Sequence, residues 1–285
     1  MPEAFPLPPA LAELDAAAER ILTPCGEGEM VWRVWGEGEP LLLVHGASGS
    51  WLTWQNNIAG LARQRRLLVP DLPGFGDSAP VLPLDSVPAH VEAVAEGLHR
   101  LLAAGEVVDI AAFSAGALLA CHLDVAHPDL VRRVVIIAAG GFDTPHFMPQ
   151  FVGVRGLEGE AIREANRYNL SVMMYHDAAL IDDGAIAMNM FGGPRMRSQL
   201  ATQVLPDGLL KVLPEVKAPC DVIWPEFDAV HPDPELHLGL VRGFQPEAQL
   251  RVVAKAGHWC CGEQPELFNA ALLDLLAQPV RPRLS

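Results

Sequence analysis

The chain is poor in cysteine, and its five cysteines, Cys25, Cys121, Cys220, Cys260 and Cys261, are odd in number, scattered and without metal-ligand spacing. Such a set excludes a disulfide framework, argues against a metal site and reads as reduced thiols in a cytoplasmic setting. No basic residue precedes Arg20 and no apolar core follows it, so no signal peptide is expected. No run of about eighteen predominantly apolar residues occurs, which excludes a membrane-spanning helix. Basic charge is also short. Twenty Lys and Arg stand against 35 Asp and Glu, a formal net charge of -15 that disfavours nucleic acid as a partner. Neither an internal repeat nor a low-complexity tract is found, and nothing calls for a cofactor. What remains is a chain of 285 residues, 50% of them hydrophobic, with ample material for a core in one large or two small domains. Its expected partner is a small molecule, with monomer and homodimer both left open.

The order of the apolar runs carries more information. Met30 to Trp35 alternates apolar and polar residues before a Gly36-Glu37-Gly38 turn, as an edge strand does. Pro40 to Val44, Arg66 to Val69, Val107 to Phe113 and Val131 to Ala138 read as buried strands, separated by helical spacing over Trp51 to Ala62, Val91 to Leu102 and Gly116 to His122. This alternation predicts a mostly parallel sheet with helices on both faces. It breaks at Gly140-Gly141-Phe142. From 143 to 211 the spacing predicts helices joined by loops, with Glu160 to Leu170 and Asp177 to Met190 the clearest, and six of the eight methionines fall there. We read this stretch as a helical insertion, with 1–142 and 212–285 forming the core. The alternation resumes with a strand at Cys220 to Trp224, a helix at Pro234 to Arg242, a strand at Gln249 to Val253 and a helix at Glu263 to Leu276. Residues 1 to 20 read as an irregular lead-in with a short amphipathic helix, and the tail after Gln278 as a loose end.

Ser114 stands at the corner between a strand and a helix. A serine there crowds the backbone two residues to either side, so both neighbours must be small, and Ala112 and Gly116 are. Ala112-Phe113-Ser114-Ala115-Gly116 is therefore a relaxed nucleophile elbow, although a serine capping a buried helix would give the same letters. Ligands in open α/β sheets bind beyond the carboxyl ends of the strands. Ser114, Asp228 and His258 each follow a strand-like run. A serine needs a base to become nucleophilic, and the base needs a carboxylate to orient it, so these three residues in this order form a coherent set.

With those residues in view the chain resembles the α/β-hydrolase fold superfamily over roughly residues 30 to 278. Four segments carry the likeness: Leu43-Val44-His45-Gly46, Asp71-Leu72-Pro73-Gly74-Phe75-Gly76-Asp77-Ser78, Ala112 to Gly116, and Gly257-His258-Trp259 followed by Glu263 to Phe268. The resemblance implies an α/β-hydrolase fold with a helical cap at 143–211. It also implies Ser114 as nucleophile, His258 as general base and acid, Asp228 as the orienting acid, and the backbone N–H groups of Ala47 and Ala115 as an oxyanion hole. Ser48, Trp51, Phe113, Met173, Met188 and Trp259 are the expected pocket residues. Asp71 and Asp77 are expected to be structural, as is His45, and packing is the expected role of Cys260 and Cys261. Two departures stand out. Ala112 replaces the usual first glycine, and Pro225 stands where the family more often has glycine before the acid. Asp143, after the Val131 strand, is the rival acid.

A serine at the elbow argues against chemistry that needs a carboxylate nucleophile. The expected reaction is hydrolysis of a carboxylic ester of a small to medium apolar substrate through an acyl-enzyme. The alternative is carbon–carbon bond hydrolysis, because Asn169 to Arg197 and the Gly257-His258-Trp259 loop resemble the meta-cleavage-product hydrolases. Those enzymes usually carry a cap arginine for the substrate carboxylate. Met188 occupies its place here, with Arg195 and Arg197 as substitutes. A hydrolase-fold protein that binds a small ligand without turnover is the non-enzymatic reading.

Overall fold

The computed structural model describes residues 6–284. Eight strands form one sheet: β1 (Glu19–Cys25), β2 (Gly28–Trp35), β3 (Pro40–Val44), β4 (Arg66–Pro70), β5 (Val108–Phe113), β6 (Val131–Ile137), β7 (Cys220–Pro225) and β8 (Leu250–Val253). Their spatial order is β1-β2-β4-β3-β5-β6-β7-β8. β2 is antiparallel to both of its neighbours, and every pairing from β4 to β8 is parallel. The order reverses direction at β3, which lies between β4 and β5. The carboxyl ends of β3 and β5 therefore flank the switch point where such sheets hold ligands.

The two-residue period of a strand explains why these runs are apolar throughout. Leu41 and Leu43 of β3, Ala111 and Phe113 of β5 and Val135 and Ile137 of β6 join one core. Leu42 and Val44, Ile110 and Ala112, and Val134 and Ile136 join the other, on the opposite face. Helices Val87–Leu101 and Gly116–Ala126 contribute Val91, Val94, Leu98, Leu118 and Leu119 to this second core, while helix Pro265–Ala277 contributes Phe268, Leu272 and Leu275 to the first. A sheet covered on both faces is the architecture that the strand–helix alternation predicts.

The differences from the sequence expectations have local causes. β1 carries Glu19, Arg20 and Pro24, and it forms because as an edge strand it pairs only with β2 and leaves charge in water. The helix expected over Trp51 to Ala62 is two short pieces, Trp51–Trp54 and Ile58–Leu61. Asn57 stands between them and spends its amide on Cys261 O at 2.8 Å and Asn269 Oδ1 at 3.0 Å. The Asp177 to Met190 helix is also divided, because Asp177 caps the turn Ala178–Leu180 and Asp182 caps a new helix, Asp183–Arg195. Pro265 restarts the last helix after Cys260–Glu263. The tail expected to be loose is strapped down: Arg281 reaches Asp221 at 2.7 Å and Cys220 O at 3.1 Å, and Arg283 binds Asp124 and Val131 O. The lead-in holds a helix at Pro9–Ala16, and its first five residues lie outside the described ones. Between β6 and β7 stand helices Gly159–Met173, Asp183–Arg195 and Gly208–Val212. No helix among the described residues is long and apolar enough to cross a membrane.

Candidate active site

β5 ends in Phe113, and the chain turns at Ser114 with φ of +51°, a left-handed conformation that costs an L-residue strain. The turn is held by Ser114 N–H on Ile137 O at 2.8 Å and by Ala117 N–H on Ser114 O at 3.1 Å. The crowding expected of an elbow is measurable. A Cβ on Gly116 would lie 2.5 Å from His45 O, and one on Gly46 would lie 2.9 Å from Ser114 Cβ. Helix Gly116–Ala126 has Ala115 at its N-cap and no side-chain cap, so Ser114 is not a capping serine.

Its hydroxyl instead points to His258 Nε2, 3.2 Å away. On the other side of the ring, His258 Nδ1–H faces Asp228, at 3.0 Å from Oδ2 and 3.1 Å from Oδ1. A carboxylate can only accept, which places the proton on Nδ1 and leaves Nε2 free to take one from Ser114. Asp228 is buried and also accepts the N–H groups of Val230 at 2.8 Å and His231 at 3.0 Å. Burial alone would raise its pKa, but electrostatic attraction to the His258 ring and these hydrogen bonds outweigh it and hold the carboxyl below its ordinary value.

The loops that present these side chains are built for it. Pro225 is accommodated as the last residue of β7, paired with Val253. Glu226 N–H then binds Val253 O at 3.0 Å and Phe227 N–H binds Ala256 O at 2.9 Å, which fixes the approach to Asp228. His258 sits between two anchored neighbours. Gly257 donates to Glu263 Oε2 at 2.6 Å, and Trp259 donates its backbone N–H to Met174 O at 2.9 Å and its indole N–H to Thr53 O at 2.9 Å. A Cβ on Gly257 would strike the backbone at Tyr175 and His176. Asp143, the rival acid, is exposed with φ of +53° and gives its N–H to Pro206 O, whereas the side-chain partners of His258 are Asp228 and Ser114. Sequence reasoning passed over His231. Its ring lies 6.0 Å from that of His258, and burial together with the neighbouring imidazole pushes its pKa down to about 4.

The backbone N–H groups of Ala47 and Ala115 have no partner among the described residues. Both residues line one crevice of about 10 Å³, the space of a single water or oxygen atom. Next to it opens a cavity of about 300 Å³ lined by Ser48, Phe113, Met173, Met188 and Trp259, all expected, and also by Thr53, Met148, Phe151, Asn169, Met174 and Asn189. No charged side chain among the described residues lines it. Trp51 does not line it either. Its indole is buried against Trp35 and the Arg33 guanidinium, and its backbone N–H binds Asp71, so it belongs to the core.

The remaining candidates are structural. Asp71 accepts N–H groups from Trp51 and Asp77 and pairs with Arg33 at 3.1 Å, and Asp77 pairs with Arg33 at 2.8 Å. His45 Nε2 accepts Leu72 N–H at 3.0 Å and its Nδ1–H donates to Gly46 O at 2.8 Å. Burial depresses its pKa and keeps the ring neutral. Cys260 and Cys261 are buried, and burial pushes both thiols up, which makes them poor nucleophiles. A second serine–imidazole pair, Ser198 with His90 Nε2 at 2.8 Å, has no acid behind it, because His90 Nδ1 meets Ser86 O. Arg197 is spent on the Gly76 and Ser78 carbonyls, and Arg195 on Phe191 O and the Phe191 ring.

Among curated proteins, 2-hydroxy-6-oxo-6-phenylhexa-2,4-dienoate hydrolase of Burkholderia cepacia is 29% identical over 85% of this chain and 89% of its own. 2-Hydroxymuconate semialdehyde hydrolase of Pseudomonas sp. (strain CF600) is 28% identical over 85% and 88%. Among solved structures, carboxylesterase CesB (YbfK) of Bacillus subtilis superposes with a TM-score of 0.74 at 17% identity, covering 95% of each chain. Sheet order, elbow and strand-end geometry are those of one fold, and the model of the alpha/beta hydrolase family matches residues 41–271: the chain belongs to that family.

Proposed function

We propose that the protein hydrolyses uncharged carboxylic esters with an apolar arm, through an acyl-enzyme on Ser114. The observation that supports this most is the hydrogen-bonded chain Ser114–His258–Asp228 beside a cavity with no charged wall. Ser114 Oγ attacks the ester carbonyl as His258 Nε2 takes its proton, and Asp228 stabilises the imidazolium that results. The carbonyl oxygen, gaining negative charge, enters the crevice between the Ala47 and Ala115 N–H groups. His258 returns the proton to the leaving alcohol. Water, activated by the same ring, then releases the acid. In this reading residues 143–211 are the cap, which contributes Met148, Phe151, Met173 and Met188 to the cavity. Four flexible thioethers, counting Met174, suit an apolar arm of variable shape.

The curated relatives favour a second reading, carbon–carbon bond hydrolysis of a vinylogous diketone. Their substrates, by name, include a dienoate, which carries a carboxylate. Met188 lines the cavity here, and Arg195 and Arg197 are engaged elsewhere and do not line it. An anion entering this site would leave its charge in an apolar wall without a partner, and for that reason the ester reading is preferred. Turnover of p-nitrophenyl esters of graded acyl length, measured beside a ring-fission diketone, tests the choice. Esters are expected to be faster, and a faster diketone would overturn the proposal. Failure of a fluorophosphonate to label Ser114 in folded protein would point to ligand binding without turnover.

A further inference from the structure

Four polar side chains line the otherwise apolar cavity: Ser48, Thr53, Asn169 and Asn189. Two are already engaged. Ser48 donates to Met196 Sδ at 3.3 Å, and Asn169 accepts Val152 N–H at 2.8 Å and donates to Val152 O at 2.9 Å. Asn169 is thus spent on holding the strand of chain that carries Phe151. The other two side chains have no hydrogen-bond partner among the described residues. Thr53 is 3% exposed, and its hydroxyl would be 2.9 Å from a Cβ on Gly49, so the glycine leaves room beside it. Asn189 lies within helix Asp183–Arg195 between Met188 and Met190.

Asparagine is a poor choice for a helix interior, where it usually turns back to bond the helix's own carbonyls. Here it does not. A residue that breaks a local rule with no structural return marks a functional position. Water can serve the free amide and hydroxyl while the cavity is empty, but an entering substrate displaces that water. A plain alkyl arm would then leave both groups buried without partners, a penalty that a complementary group on the substrate removes. An amide offers one donor face and one acceptor face with no net charge. It therefore matches a ketone or a hydroxyl, and it cannot neutralise a carboxylate.

We infer that Asn189, assisted by Thr53, selects substrates whose buried arm carries a neutral hydrogen-bonding group, such as a ketone or hydroxyl, over the matching alkyl arm. The inference rests on the ester reading for the chemistry of the substrate, but it concerns binding and can be read without turnover. Ser114→Ala protein is titrated with p-nitrophenyl heptanoate and with its 4-, 5- and 6-oxo analogues, and with matched acetates that carry the same groups on the alcohol arm. At least one oxo ester is expected to bind tenfold more tightly than its alkyl counterpart. Adding Asn189→Leu should abolish that ratio, and Asn189→Ala, which cannot overfill the cavity, should do the same. A ratio of one or less in the Ser114→Ala protein, a ratio unchanged by both Asn189 substitutions, or no binding of any ester would overturn the inference. Preferential binding of an oxo ester with no turnover of any ester by the wild-type chain would instead sink the ester reading and leave this inference standing.

Discussion

The carboxylate of Glu263 accepts the N–H of Gly257 at 2.6 Å, directly before His258 in the chain. The same carboxylate takes the N–H groups of His176 at 3.0 Å and Asp177 at 2.7 Å, which lie between helices Gly159–Met173 and Asp183–Arg195. One buried side chain therefore ties the loop of the candidate base to the turn at His176 and Asp177. Glu263→Gln keeps the shape but gives up the charge and one acceptor. Hydrogen bonds to a charged group contribute roughly 1.5–3 kcal/mol, so a stability loss of that order is expected in urea denaturation. A base loop displaced by a fraction of an ångström should also lower kcat about tenfold or more. An unchanged kcat would make the tie purely structural.

Ser114→Ala and His258→Ala should each lower kcat on a p-nitrophenyl ester by on the order of 10⁴-fold or more, and the double variant should be little worse than either single one. Circular dichroism should show all three folded. Additive losses would mean that the two side chains do not act as a unit.

The two acids are predicted to differ sharply. Asp228→Asn removes the partner that sets the His258 tautomer, and kcat should fall by about 10⁴-fold. Asp143→Asn alters an exposed side chain that is not hydrogen-bonded to His258 and should stay within about twofold of wild type. Steady-state kinetics on both variants decides, and the reverse ranking would move the acid role.

The elbow tolerates change at one of its two small positions. Ala112→Gly removes a buried methyl group and should cost only about 1 kcal/mol, with the turn preserved. Gly116→Ala brings a Cβ to 2.5 Å from the His45 carbonyl, which has no flexible end that could give way. Overpacking of this kind costs about 1–3 kcal/mol, and here it should also displace the loop after β3 and depress kcat. Equal melting temperatures for the two variants would contradict the crowding.

Acid should unfold the protein earlier than its carboxylates alone require. Burial lowers the pKa of His45, His90, His231 and His237, the third to about 4. Each of these rings is neutral in the folded state and titrates near 6.5 when unfolded, so the unfolded chain binds more protons as pH drops below that value. Stability is full above about pH 7 and is lost progressively as pH falls toward the folded-state pKa values, with a slope approaching about 1.4 kcal/mol per pH unit for each histidine. Asp228, also depressed, adds to the loss at lower pH still. Urea midpoints that are flat between pH 7.5 and pH 5 would refute this.

How far the sequence could be read depended on whether a position is determined by its chain neighbours or by distant contacts. β3, β5, β6 and β7 are buried on both faces and therefore spell themselves out as apolar runs, whereas β1 hides because an edge strand can keep charge and proline. Ser114 and Asp228 can be singled out because each follows such a run, His258 because it follows the short strand β8, and the sheet then brings the three together. Glu263, His231 and Asn189 give no comparable signal. Their significance lies in atoms contributed from far along the chain, and only folding brings those atoms close. Trp51 shows the converse error, since its place beside the glycine loop says nothing of the Arg33 and Trp35 that claim its ring.

The tail that straps Asp221 and Asp124 crosses the amino ends of β6 and β7, whereas Ser114 and the cavity open at the carboxyl ends. Immobilising the protein on a support through its final residues would accordingly turn the mouth away from the solid surface. Attachment through the exposed Phe147 or Phe151 region would smother it.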